Sequence, residues 1–292
     1  MKREDFIKKG FISSLMAMLV PSVLKAESET YRVEKKASSE NHLGYNHMPN
    51  SNVKTMNTVL HKANTRGSAD HDWLKVNHTF SFANYQNPDR MNFGVLRVLN
   101  DDTISGGKGF NPHPHNNMEI ITIPLEGSIK HKDNMGNSSV IAHGDVQVMS
   151  AGKGVVHSEF NADENDDLKL LQIWLFANNQ NVEPRYQQIP IREVETKNEF
   201  YQILSPYQGD QGVWIHQNAW FHIGEFDFKK KVNYKTHSSE NGIYAFIIEG
   251  KAQIESQSLE KRDGFGIWNT NSIAIQAGEN SKILLMEVPM KI

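Results

Sequence analysis

The sequence predicts an all-β chain folded as two β-barrels in tandem. Short β-rich runs at residues 93–99, 118–125 and 168–176 are separated by turn residues such as Asp133-Asn-Met-Gly136. Evenly spaced short strands favour a barrel or sandwich over a helical or βαβ fold. The pattern also repeats. A Glu-Gly turn at Gly127 leads to a strand after Gly144, and a second Glu-Gly turn at Gly250 leads to a strand after Asp263. A length of 292 residues accommodates two such units.

Residues 1–26 read as a targeting segment. Lys2, Arg3, Lys8 and Lys9 make a basic start, and 11–20 is an apolar stretch too short for an ordinary membrane-spanning helix. Small and helix-breaking residues follow at Pro21, Ser22 and Ala26, which suits cleavage near Ala26. Lys2-Arg3 before Phe6-Ile7-Lys8 also resembles an imperfect twin-arginine export signal. An amphipathic N-terminal helix is the competing reading. The expected location is the periplasm or the exterior, with no stable membrane anchor. Residues 27–58 are rich in Ser, Asn, Lys and Glu and form a polar arm. Residues 59–185 are expected to form the first barrel and 186–292 the second, divided in the polar stretch 184–197. One short amphipathic helix is expected at 70–76.

Composition narrows the chemistry. With 38% hydrophobic and 22% charged residues the chain is globular. A net charge of -3 offers no basic stripe for nucleic acid. There is no cysteine, so any metal must be held by His, Asp or Glu.

Two pairs of residues carry the functional signal. His113 and His115 are two apart, so a strand presents both on one face. Pro112 and Pro114 suit a sheet edge or rim. His157 and Glu159 have the same spacing behind a glycine-flanked turn. On neighbouring strands the two pairs would bring three imidazoles and a carboxylate to one point. This donor set suits Fe(II), Mn, Co, Ni, Cu or Zn. Spacing alone leaves a second acid, Glu119, in contention as the fourth ligand.

The motifs resemble those of the cupin superfamily, and of its pirin branch in particular. Gly107-x5-His113-x-His115-x3-Glu119 is similar to the first cupin motif, and the run from Gly144 through Gly152 to His157 to the second. Gly127 comes one residue late, and His157 follows Gly152 by five positions rather than three. That longer spacing matches pirins. So do Thr79-Phe-Ser-Phe-Ala-Asn-Tyr85, Leu96-Arg-Val-Leu-Asn-Asp-Asp102, His131-x-Asp133-x-Met-Gly136 and the residues from Met149 to Glu159. The resemblance covers about 59–289 and is strongest to bacterial pirin-like quercetin 2,3-dioxygenases. It implies a bicupin fold and one metal, usually iron, held by His113, His115, His157 and Glu159. Glu119 then becomes a buried acid that orients a histidine, or a hydrogen-bonded strand residue.

Alignment of Gly127 with Gly250 puts Thr236 and Ser238 at the positions of His113 and His115. Alignment of Asp145 with Asp263 puts Ile275 and Ala277 at those of His157 and Glu159. The second barrel is therefore expected to lack metal. The implied activity is dioxygenation of a flavonol or similar enol, with Glu159 taking the hydroxyl proton. Phe110, Met118 and Phe160 are candidates for the aromatic pocket or for barrel core. The partners are then a small aromatic or enol substrate and dioxygen. The alternative is a non-catalytic metal-binding or redox-sensing module. Nothing in the sequence assigns an oligomeric state.

Overall fold

The computed structural model describes residues 55–292; the targeting segment expected at 1–26 and most of the polar arm expected at 27–58 lie outside them. The regular structure of the described chain is strand, apart from short 3-10 turns at Ala63–Thr65, Pro88–Arg90 and Ile191–Glu193. It forms two barrels, each closed by a seven-stranded and a four-stranded sheet. In the first barrel the four-stranded sheet runs Gly109–His115, Val155–Asn161, Ser128–Asp133, Ser138–Ala142. In the second, Lys230–Lys235, Ser272–Ala277, Lys251–Ile254 and Gln257–Glu260 take the same order. The echo seen in sequence is thus a repeated topology, and Gly127 and Gly250 turn the chain with φ of 75° and 71°, a region glycine enters without strain.

The large sheets also correspond over six strands, with an exchange at one edge; at the other, Gly67–Asp70 pairs antiparallel in the first whereas Val213–Trp214 pairs parallel in the second. The first contains Arg185–Pro190, Asp145–Ser150, Met118–Glu126, Leu168–Phe176, Leu96–Ile104, Leu74–His78 and Gly67–Asp70, in that order. Asn57–His61 precedes the first barrel in the chain but pairs with Gly264–Trp268 of the second. Arg185–Pro190 holds the matching edge of the first barrel, against Asp145–Ser150. The strand ladders therefore cross the boundaries expected at 58/59 and 185/186.

The helix expected at 70–76 is not formed. Strands Gly67–Asp70 and Leu74–His78 pair there instead. Leu74, Val76 and His78 are buried while Lys75 is exposed, a period of two that only a strand can satisfy.

Strand Leu168–Phe176 shows why its apolar run is nearly continuous. Leu168, Leu170, Gln172 and Trp174 face the first barrel's interior, while Leu171, Ile173 and Leu175 face the second barrel. Both faces are covered, so no alternation is needed. One apolar core joins Leu99, Ile121 and Leu171 of the first barrel to Phe221, Phe246 and Met286 of the second. Each such side chain contributes about 1.5–3 kcal/mol when fully buried. Inter-barrel packing is thus part of the fold.

Candidate metal centre

Strand Gly109–His115 is the outer strand of its sheet, so Pro114 interrupts no second ladder. It pairs antiparallel with Val155–Asn161, which sets His113 opposite His157. A β-bulge follows, after which Glu159 pairs with Phe110. Gly109 allows this close approach: a side chain there would collide with the Glu159 carbonyl.

Imidazoles of His113, His115 and His157 converge. Ring centroids are 4.4 Å apart for His113 and His157, 4.8 Å for His113 and His115, and 4.9 Å for His115 and His157. One nitrogen from each lies within 4.8 Å of the other two. The Nδ1 of His113 donates to the Asn111 carbonyl at 2.8 Å, which leaves its Nε2 free as a lone-pair donor. Glu159 is buried beside them and its carboxylate accepts from Gln172 Nε2 at 3.3 and 3.4 Å. A second trio, His131, His157 and Glu159, also brings its ligand atoms within 4.8 Å of one another.

Electrostatics favour the metal-ready form of the histidines. Burial, helped by neighbouring imidazoles, pushes His157 down to about 2 and His115 to about 3. Burial also lowers His113 and His131. These rings are neutral at physiological pH, as metal ligation requires. Burial raises Glu159 to about 7 against the opposing bond from Gln172. Both ring nitrogens of His157 are buried without a hydrogen-bond partner. Buried polar atoms are rarely left so. An ion among three imidazoles and a carboxylate would satisfy this donor set, so the residues fit a divalent metal.

His131 opens the motif His131-x-Asp133-x-Met-Gly136. Its Nε2 meets Asp133 Oδ2 at 3.2 Å, and Asp133 in turn accepts the backbone amides of Met135 and Asn137. The turn at 133–136 thus anchors a buried histidine behind His157, at a ring separation of 5.3 Å.

Glu119 stands elsewhere. It shares the outward face of its strand with Ile121, between the barrels, where it accepts from Ser150 Oγ at 2.7 Å. It orients no histidine. Burial raises it to about 7, partly offset by Ser150, the backbone of His216 and the charge of Arg185.

The imidazoles open into a cavity of about 270 Å³. Its walls include Phe82, Tyr85, Phe110, Ile120 and Trp174. Trp174 meets His115 edge-on at 4.9 Å and Phe82 edge-on at 5.3 Å. Of the expected aromatic candidates only Phe110 lines this space. Met118 packs with Ile120 and Met149 in a neighbouring apolar cluster. Phe160 has the opposite strand parity from His157 and Glu159 and lines an outer groove. Gln172 and Trp174 carry no motif signal, and Asp102 carries one only as the end of the motif Leu96-Arg-Val-Leu-Asn-Asp-Asp102. Parity along 168–176 and 96–104 would have indicated their common face.

In the second barrel the ladder register shifts the comparison by two residues. Gly127 and Gly250 make equivalent turns, so His131 corresponds to Ile254. Glu159 pairs with His131 and Ile275 with Ile254. Ile273 and Ile275, rather than Ile275 and Ala277, therefore occupy the places of His157 and Glu159. Tyr234 pairs with Ile273 and takes that of His113; Thr236, two residues on, takes that of His115. The displacement arises because the turn before Val155–Asn161 is two residues longer than its counterpart. No ligand set forms at these four positions.

Family comparisons agree with this geometry. Residues 57–175 match the Pirin family model and 202–288 the quercetinase C-terminal cupin domain. A quercetin 2,3-dioxygenase of Escherichia coli strain K12 is 39% identical over 230 residues, spanning 79% of this chain and 98% of the relative. A pirin-like protein of Caulobacter vibrioides is 36% identical, with 76% and 95% covered. Among solved structures, the bacterial pirin YhhW from Escherichia coli in complex with nickel(II) superposes with a TM-score of 0.76 at 36% identity, covering 80% of this chain and 100% of that one. The repeated barrels, the histidine-lined interior of the first and these similarities over most of the described chain lead to one conclusion: this chain belongs to the pirin family.

Proposed function

We propose that this chain is a metal-dependent dioxygenase of the pirin type that opens the ring of a flavonol such as quercetin. His113, His115, His157 and Glu159 would hold one divalent transition metal, with Fe(II) first and Mn, Ni, Co, Cu or Zn as alternatives. The observation that carries this reading is the meeting of three neutral imidazoles at an aromatic-walled cavity. The name of the Escherichia coli relative and the nickel(II) in YhhW support it.

When bound, the metal supplies Lewis acidity that lowers the pKa of an enol hydroxyl. The chain supplies the rest. Phe82, Phe110 and Trp174 give a flat ring apolar faces and exclude water. Glu159 accepts the hydroxyl proton, and Gln172 holds its carboxylate toward the cavity. Dioxygen is the co-substrate.

The test is oxygen uptake with quercetin by protein loaded separately with each metal. Uptake matched to loss of quercetin is expected with iron, manganese or nickel. Full metal loading without uptake would contradict the enzyme and leave a non-catalytic metal-binding module. The basic start and the apolar stretch at 11–20 also motivate export to the periplasm or beyond. N-terminal sequencing of protein from its native host should then begin near residue 27. A cytoplasmic chain that keeps Met1 would contradict export.

A further inference from the structure

Strand Leu96–Ile104 carries two consecutive acids on opposite faces. Asp101 points toward the second barrel and is paired, with Arg66 Nη1 at 3.2 Å and Arg262 Nε at 3.1 Å. Asp102 points into the cavity of the first barrel and is only 5% exposed. Its Oδ1 is buried without a hydrogen-bond partner. Its ladder neighbours are Val76 on one side and Leu170 on the other, both buried and apolar. An acid in such a ring costs stability unless something satisfies it.

The second barrel shows that the architecture does not demand an acid there. Leu170 corresponds to Ile283, whose partner on the equivalent strand is Gly224. A side-chain carbon at Gly224 would come 2.6 Å from the ring of Phe226 and 2.8 Å from that of Phe200. Aromatic rings fill in the second barrel the space that the first keeps open. Asp102 also lies one interior level beyond Gln172, the residue that holds Glu159. Two residues along a strand span about 7 Å. A ligand reaching the histidines therefore has Asp102 beside its body rather than at its reacting end.

We propose that Asp102 is a specificity-determining residue that hydrogen-bonds a hydroxyl on the body of an aromatic ligand, so that the cavity selects polyhydroxylated rings over bare ones. This rests on the flavonol reading above and sharpens it. Burial, with the charges of Asp101 and Glu159 adding to it, holds the Asp102 carboxyl well above the usual carboxylate range. In that form it can both donate to and accept from a phenolic oxygen.

The experiment compares quercetin with 3-hydroxyflavone, which keeps the enol and lacks the other ring hydroxyls. Dissociation constants are measured on the metal-loaded protein, and thermal midpoints without ligand. Wild type should prefer quercetin by about tenfold or more, the effect of one satisfied buried hydrogen bond. Asp102→Leu should erase that preference, leave 3-hydroxyflavone binding within about twofold, and raise the thermal midpoint by removing an unsatisfied acid. Asp102→Ala gives the same loss of preference without filling space, and Asp102→Asn restores it. An unchanged preference in Asp102→Leu and Asp102→Ala would overturn the proposal. So would a lower midpoint in all three variants, which would assign the carboxyl to the fold. Equal binding of both compounds by wild type sinks this inference alone. Failure of wild type to bind either compound sinks the flavonol reading and takes this inference with it.

Discussion

The two barrels share strand order and turns yet differ in what they enclose. The interior of the second is one apolar cluster running from Phe226 through Ile243, Ile254 and Ile275 to Leu285. That of the first is split into a cluster around Ile104 and Leu168 and another around Ile120 and Met149. Between them lies a polar belt that includes His131, His157, Glu159, Asn100 and Gln172. The second barrel buries a carboxylate that it satisfies itself, although its Tyr201 hydroxyl is buried without a partner. Glu287 accepts from Tyr234 Oη at 2.9 Å, from Asn241 Nδ2 at 2.7 Å and from the His237 amide at 2.7 Å. His157 has no such partners. A polar layer costs cohesion, and the second barrel with the inter-barrel core offsets that cost for the first. The contrast separates a scaffold from a site within one repeated architecture.

The comparison breaks most decisively at His157. His157→Ala should weaken metal binding by more than about a hundredfold, because it removes a central ligand from the set. The far-ultraviolet spectrum should not change, since the strand ladders do not depend on this side chain. Metal content after dialysis measures the effect; full retention in both His157→Ala and His113→Ala would end the assignment. Next in size is an exchange between corresponding positions. Gln172 in the first barrel matches Leu285 in the second, through the ladders to Asn100 and His222. Leu285→Gln should cost roughly 4 kcal/mol by placing an unpartnered amide in apolar packing. Gln172→Leu should change stability by less than about 1 kcal/mol yet lower metal affinity about tenfold, by releasing Glu159. Denaturant unfolding and metal titration measure the two; equal destabilisation would erase the distinction between the barrels.

Glu119 lies in the layer between the barrels. The pKa of Glu119 is raised from 4.5 to about 7, so the folded protein keeps a proton that the unfolded chain gives up. The stability this group contributes is full below about 4.5, falls as pH rises through about 7, and then levels. Over that window the loss is up to about 3 kcal/mol. Glu119→Gln, neutral throughout, should show a shallower decline than wild type across the same range. Its metal affinity should match wild type, whereas Glu159→Gln should bind metal more weakly. A greater loss of metal in Glu119→Gln would return Glu119 to the ligand set.

Much of this was legible in the residues because strand periodicity is local. The spacing of two in His113 and His115, and in His157 and Glu159, states that each pair shares a face. Antiparallel pairing then has only to bring the faces together. Residues 70–76 misled because a short apolar pattern around Trp73 does not separate helix from strand; the ladder from Leu74–His78 to Leu96–Ile104 decides it. Spacing left Glu119 open as a ligand because it does not show that Asn117, at a φ of 47°, turns the chain between the two strands; Glu119 is the buried, hydrogen-bonded strand residue that the pirin resemblance allowed. The exchange of Asn57–His61 into the second barrel depends on long-range pairing that no local pattern encodes. Gln172 stayed hidden in an apolar run, and Asp102 stood out only as part of a motif, because their roles come from what faces them across the barrel.

The most direct test of a single metal centre in the first barrel is anomalous diffraction from crystals of the metal-loaded protein, recorded at the absorption edge of that metal. One peak per chain is expected, bonded to His113, His115, His157 and Glu159. A peak on the second barrel, a peak at Glu119, or no ordered peak in fully loaded crystals would contradict it.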